Sequence, residues 1–184
     1  MRDVYVAGVG MTRFGKWLER NMKSLAAEAV KGALEDAGAT NADIGAAYVG
    51  NAAQGLVTGQ ECVRGQVVLR EIGIGGIPVV NVENACASSS TALHLGWQAI
   101  AGGFQECVLI LGMEKLYDED KRKTFAAFGA AVDVEFLESI KQRLAAAEKK
   151  PGGEGGGAGK KRSMFMDFYA MAAKEHMRRY GTTK

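Results

Sequence analysis

Asn81-Val82-Glu83-Asn84-Ala85-Cys86-Ala87-Ser88-Ser89-Ser90-Thr91-Ala92-Leu93-His94-Leu95-Gly96 is the stretch that decides how this chain is read. An apolar run, Ile77 to Val82, reads as a strand ending in polar residues at Glu83-Asn84. A cysteine follows, and a helix of small residues, Ala87 to Ala101, begins beside it and stops at Gly102-Gly103. Backbone N–H groups at a helix start are unpaired and carry partial positive charge. A thiolate placed there is stabilised and becomes a nucleophile near neutral pH. The small residues behind it suit close helix packing and leave room for backbone to approach a ligand. A lone cysteine in an apolar stretch is by default an inert core residue, so position alone leaves both readings of Cys86 open. Cys62, expected in a helix, and Cys107, expected inside a buried strand, are read as packing residues.

Outward from Cys86 the chain alternates. Val4 to Gly10 is a β-rich run ended by glycine and is expected to be a strand. Ser24 is placed to cap a helix running to Ala37, with Leu25, Ala26, Ala29, Val30, Ala33, Leu34 and Ala37 at helical spacing and Gly38 as the stop. Ala46 to Gly50 reads as a second strand, Glu61 to Glu71 as a helix, and Cys107 to Leu111 as a strand apolar enough to be buried on both faces. Strands alternating with helices specify an α/β sheet.

Composition narrows the function classes. The 184 residues are 47% hydrophobic and 24% charged, as in ordinary globular proteins. The formal charge of +2 argues against a dedicated nucleic-acid binder. No apolar run approaches the roughly 18 residues of a membrane span, and Met1 to Val6 lacks the apolar core of a secretory signal. Three widely spaced cysteines fit neither a disulfide framework nor a zinc site, so a reducing, cytoplasmic setting without a metal is expected.

After Glu114 the character changes. Asp118 to Lys123 is a charge cluster, followed by weaker helical stretches at Phe125 to Ala131 and Val134 to Ala147. Six of the eight residues from Gly152 to Gly159 are glycine, too few side chains to order a segment, so a disordered surface loop is expected over about 150–162. With no strand before it, that run is not a nucleotide-binding loop. Phe165 to Arg179 resumes as an aromatic-rich helix. The expected division is a core over 1–116 and an inserted loop region over 117–184.

The segment Asn84-Ala85-Cys86-Ala87-Ser88-Ser89-Ser90-Thr91-Ala92, then Gln98-Ala99-Ile100-Ala101-Gly102-Gly103 and Val108-Leu109-Ile110-Leu111-Gly112-Met113-Glu114-Lys115, resembles the nucleophile region of the thiolase superfamily. The closest likeness is to acetyl-CoA acetyltransferases and sterol-carrier-protein-type thiolases. Val6-Ala7-Gly8-Val9-Gly10-Met11-Thr12-Arg13-Phe14-Gly15 and Tyr48-Val49-Gly50-Asn51 fit the same pattern, and the likeness covers nearly the whole chain. It implies the N-terminal half of that fold: a mixed sheet with helices on both faces plus an inserted loop region that covers the coenzyme A tail. It also implies a reaction. Cys86 would accept an acyl group from a 3-ketoacyl thioester and pass it to coenzyme A, which is a substrate rather than a resident cofactor; the reverse is a Claisen condensation. Met113 and Phe165 or Phe168 are candidates for the acyl pocket. Homo-oligomers, with a contact near the strand before Cys86, are the family's habit.

Such chemistry needs groups to take the thiol proton, to donate to the thioester oxygen and to protonate the departing carbanion. The family supplies them from its C-terminal half, and those motifs do not occur here. His94 lies eight residues along the helix from Cys86, about 12 Å of rise and roughly 80° around, which is out of reach. His176 on the aromatic helix is by default a packing or surface residue. The missing groups are therefore expected from a C-terminal half in a longer chain or from a second subunit. The alternatives are a non-catalytic binding or assembly subunit of the same fold, or a ketoacyl synthase-like condensing enzyme.

Overall fold

A computed structural model describes residues 1–136, 139, 142 and 164–183. Three strands, β1 (Ala46–Gly50), β2 (Val79–Val82) and β3 (Val108–Gly112), form a sheet in the order β2-β1-β3. Parallel strands need crossover connections. Helices α2 (Gln54–Thr58) and α3 (Arg64–Glu71) lie between β1 and β2, and α4 (Ser88–Ala101) lies between β2 and β3. Where a mixed sheet was expected, the described strands are accordingly all parallel, with Gly50 of β1 in register with Val82 of β2 and Gly112 of β3.

Helices cover both faces, as the family likeness implies. Helix α1 (Met22–Ala37) starts one turn earlier than expected because Asn21, not Ser24, is its cap. The Asn21 side chain accepts the Ser24 N–H at 2.9 Å, an interaction of about 1 kcal/mol. Gly38 closes the helix at φ 62°. Met22, Ala26 and Val30 of α1 join Val68 and Leu69 of α3, Ala47 and Val49 of β1, and Leu109 and Leu111 of β3 in one buried cluster. The alternate residues of β3 face α4, where Gly96 allows the helix to sit directly on Ile110. A Cβ there would lie 2.8 Å from the Ile110 Cδ1. The buried stripe of α4 is Ser88, Ala92, Gly96 and Ala99, so the small residues permit a close helix–sheet contact.

Val4 to Gly10, expected as a strand, is not one. A strand needs a neighbour to take its backbone hydrogen bonds, and this segment is held by a helix instead. Gly8 and Gly10 press against the backbone of Ala33 and Ala29 of α1 so tightly that a Cβ would lie within 2.4 Å and 2.1 Å of their carbonyl oxygens. The Val9 N–H donates to the Asp36 carboxylate at 2.9 Å, while Tyr5, Val6 and Val9 are exposed. Two further corrections concern cysteines. Cys62 sits in the loop between α2 and α3, because the expected helix starts only at Arg64, after Val63 at φ 50°. Cys107 precedes β3 and is half-buried; its carbonyl accepts the Gly45 N–H at 3.0 Å.

The chain divides into two compact units, Met1–Asp133 and Val134–Lys184. The first ends with α5 (Lys121–Gly129), capped by the Asp120 side chain. The second holds α6 (Met164–Tyr180), the expected aromatic helix, on which Phe168 and Tyr169 are exposed. Most of the helix expected over 134–147 and all of the glycine-rich segment 150–162 lie outside the described residues. Among the described residues no helix is long and apolar enough to cross a membrane.

Candidate active site

Cys86 is exposed on a 3-10 turn, Ala85–Ala87, that leads straight into α4. The turn is tight because Ala85 takes φ 45°, a left-handed conformation that costs a residue bearing a Cβ roughly 1–2 kcal/mol. Side chains hold it there. The Ser88 hydroxyl donates to the Ala85 carbonyl and accepts the Asn84 N–H, each at 2.8 Å. Glu83 accepts the Ala85 N–H at 2.7 Å, and the Asn84 amide donates to the Thr91 hydroxyl at 2.9 Å. Ser88 is buried, so its two bonds are shielded from water. Strain of this kind persists where surrounding bonds over-determine it, typically at functional turns.

Two glycines bring this turn down onto the sheet. Gly50 and Gly112 end β1 and β3 side by side. A Cβ on Gly50 would lie 2.8 Å from the backbone of Ser88 and Ser89, and one on Gly112 would lie 2.4 Å from the Ser89 Oγ. The cysteine turn therefore rests on the C-terminal edge of a parallel sheet, where open α/β folds place their ligand sites.

Beyond the same edge lies a polar knot drawn from three elements. Asn51, following β1 and 4% exposed, donates through its amide to the Met113 carbonyl at 2.7 Å. Its carbonyl oxygen accepts from Arg64 of α3 at 2.5 Å, and Arg64 also donates to the Ala52 carbonyl at 3.1 Å. Glu114, two residues past β3, accepts the Ala52 and Ala53 N–H groups at 3.0 and 2.9 Å. Loop 51–53 is thus pinned from both sides. Sequence reasoning assigned none of these three residues a role. The available signal was a polar residue at the C-terminal end of each of two strands, the position where α/β sheets carry their sites.

A cleft of about 550 Å³ opens at this edge. Cys86, Ala85 and Ser89 line it, together with Gly50, Gly112 and loop 51–53; Met113 to Tyr117, residues 12–15, Trp17, the first turns of α1 and the end of α5 complete the wall. Of the residues expected at a site, Cys86 and Met113 meet here. Phe168 belongs to the second unit and is exposed. His94 does not line the cleft: it is exposed and stacks on Trp97, ring centroids 6.1 Å apart. His176 packs against Tyr180 and lies 3.2 Å from the Thr182 hydroxyl. Among the described residues no group of three or more His, Cys, Asp or Glu is placed to hold a metal.

An α/β fold with a cysteine turn at its sheet edge fits the class the sequence resembles, and comparison establishes the family. A profile for the thiolase N-terminal domain matches residues 4–149, and the chain belongs to the thiolase family. It is 36% identical over 184 residues to the acetyl-CoA acetyltransferase of Methanothermobacter thermautotrophicus, covering 100% of this chain and 42% of that protein. It is 36% identical over 187 residues to sterol carrier protein 2 of Homo sapiens, covering 99% of this chain and 30% of that one. The crystal structure of a thiolase from Ascaris suum in complex with coenzyme A matches with 23% identity and a TM-score of 0.48, over 59% of this chain and 28% of that chain. The chain thus spans less than half the length of these relatives.

Proposed function

We propose that this chain carries the nucleophile of a thiolase-type acyl-CoA acyltransferase, with Cys86 as the acyl acceptor. The Cys86 thiolate adds to the 3-keto carbon of a 3-ketoacyl-CoA. The bond between carbons 2 and 3 breaks, its electron pair leaves on carbon 2 with the acyl-CoA fragment that keeps carbons 1 and 2, and that carbanion takes a proton. The acyl group, now a thioester on Cys86, passes to the thiolate of coenzyme A, and the cysteine is regenerated. Reversal joins two acyl groups by Claisen condensation. Coenzyme A is substrate throughout, and no resident cofactor enters.

The observation that carries this reading is the placement of Cys86: exposed, on a strained turn at the start of α4, lining a cleft at the C-terminal sheet edge of a thiolase-family chain. No histidine lines that cleft. The groups that move protons are therefore assigned to a C-terminal thiolase half, in a longer chain or a second subunit. Strand β2 is an edge of the described sheet, and its half-exposed Val80 suits a self-association surface. Three unpaired cysteines suit a reducing, cytoplasmic compartment.

The test is acyl transfer by the protein purified from its own source with whatever chain accompanies it. Incubated with acetyl-CoA and digested, it should carry one acetyl group on the Cys86 peptide, removable by coenzyme A, and Cys86→Ala should carry none. An unmodified Cys86 in that preparation would overturn the proposal and favour a non-catalytic assembly role.

A further inference from the structure

Glu83 is the last charged side chain before Glu106, for the chain from Asn84 to Gln105 carries no Asp, Glu, Lys or Arg. It is exposed, takes part in no ion pair among the described residues, and does not line the cleft. A carboxylate near a thiolate opposes ionisation of the thiol, so its charge as such does not serve the nucleophile. Its oxygen does something else: it accepts the Ala85 N–H at 2.7 Å.

That bond acts on the left-handed residue beside the cysteine. Ala85 has a peptide on each side, and each is pinned. The upstream peptide is held at both ends, since the Asn84 carbonyl accepts the Ala87 N–H at 2.9 Å and the Ala85 N–H goes to Glu83. The downstream peptide is held at the Ala85 carbonyl, which accepts both the Ser88 hydroxyl, at 2.8 Å, and the Ser88 N–H. The angles between these two planes are the φ and ψ of Ala85, and φ is 45°. Cys86 hangs from the downstream peptide, so its direction follows from those angles. A residue with a Cβ disfavours this backbone on its own, and the pinning bonds decide the conformer. Of the acceptors only Glu83 is charged, and a charge-assisted bond is roughly twice as strong as a neutral one.

We infer that Glu83 is a positioning residue for Cys86. Its carboxylate holds Ala85 in the left-handed conformation and so fixes how the cysteine is presented to the cleft. Without that bond the Asn84–Ala85 peptide turns over toward negative φ, and Cys86 is presented differently. This rests on the reading of Cys86 as acyl acceptor, and it deepens that reading by naming a residue outside the cleft that sets the rate of transfer. Glu83 touches no substrate in this assignment, so it governs turnover and not binding.

The experiment measures acetyl transfer from acetyl-CoA to Cys86 in the protein purified with whatever chain accompanies it. Iodoacetamide alkylation of Cys86 is measured separately, at a pH where its rate no longer rises. On that plateau the thiol is fully ionised, so the rate reports presentation of the sulfur and not its pKa. Glu83→Ala is expected to lose about tenfold in kcat, the effect of a steric cost no longer opposed by its bond. KM for acetyl-CoA should hold, and the plateau alkylation rate should change. Glu83→Gln keeps a carbonyl oxygen for the Ala85 N–H and should lose less. Glycine adopts positive φ about as readily as negative, so in an Ala85→Gly background the same Glu83→Ala change should cost only about twofold in kcat, a non-additivity expected of coupled neighbours. A Glu83→Ala protein with parental kcat, a loss confined to KM, a Gln variant as slow as the Ala variant, or an equal loss in both backgrounds would overturn the assignment. Should the parent Cys86 take no acetyl group, the acyl-acceptor role falls, and the alkylation series still decides whether Glu83 sets the turn. An acetylated parent whose alkylation and transfer are indifferent to Glu83 removes only the positioning role.

Discussion

Gly50→Ala tests whether the cysteine turn owes its position to a missing side chain. The added Cβ would lie 2.8 Å from the Ser88 carbonyl carbon and from the Ser89 N and Cα. All three atoms are backbone, so no rotamer change relieves the clash. Ordinary contact begins near 3.4 Å, so the first turn of α4 and the end of β1 must separate by about 0.6 Å, and overpacking of this kind costs about 1–3 kcal/mol. For a chain of this size each kcal/mol lowers the melting temperature by about 2–4 °C. Gly112→Ala is the graded comparison. Its nearest contact is the Ser89 Oγ at 2.4 Å, which can rotate away, leaving the Ser89 Cβ at 2.9 Å, so a smaller loss is expected. Gly75→Ala is the control, with nothing within 4 Å of its Cβ and an expected change within about 0.5 kcal/mol. Thermal unfolding followed by circular dichroism gives the stabilities, and iodoacetamide labelling of the Cys86 peptide reports whether the turn has moved. A Gly50→Ala protein as stable as Gly75→Ala, with parental labelling at Cys86, would refute the claim that α4 rests on the glycine ends of the sheet.

Ala85→Gly and Val63→Gly each place glycine at a left-handed φ, 45° and 50°, and each should stabilise the fold by up to about 1 kcal/mol in urea titration. A destabilised Ala85→Gly would show that the turn is not strained. Arg64→Ala leaves the buried carbonyl oxygen of Asn51 without its donor and should cost about 1–3 kcal/mol by the same assay, whereas a neutral effect would dissolve the knot. Hydrogen bonds from the Arg122 side chain and then its backbone N–H lower the Asp120 carboxyl to about 2. A carboxyl lowered on folding stabilises above its unfolded value, near 3.8, and that contribution is lost as pH falls toward 2. The first turn of α5 should therefore keep its amide protection at pH 4 and lose it near pH 2, as read by NMR. Arg122→Ala should return the Asp120 midpoint toward the ordinary carboxylate range.

What the sequence disclosed and what it hid divide along one physical line. Strand β1 could be read to its ends, and α1 could be read to Gly38, because apolar period and a glycine stop act within a few residues of the atoms they govern. The α4 region was legible for the same reason, since a polar break, Cys86 and a small-residue helix succeed one another directly. The strand expected at 4–10 failed although its local pattern was good. A strand exists only when another accepts its hydrogen bonds, and here Gly8 and Gly10 lie on α1 instead. The left-handed backbone at Val63 and Ala85 was invisible because neither residue favours it. At Ala85 it is imposed by bonds from Glu83 and Ser88.

The knot of Asn51, Arg64 and Glu114 joins residues 13 and 63 positions from Asn51, a pairing that no local periodicity encodes. Even so, its two strand-end members stand where a parallel sheet makes polar residues useful. Gly50 and Gly112 end their strands without side chains, which lets the cysteine turn settle onto the sheet. The next residues, Asn51 and Met113 with Glu114, then wall the cleft beside the cysteine turn. These two transitions from strand to loop thus set both the height of Cys86 and the wall beside it. It follows that substitutions at Gly50 and at Glu114 should both disturb labelling of Cys86, although neither residue forms a hydrogen bond to the cysteine among the described residues. Normal labelling in Glu114→Gln alongside altered labelling in Gly50→Ala would show that the sheet edge positions Cys86 without help from the loop.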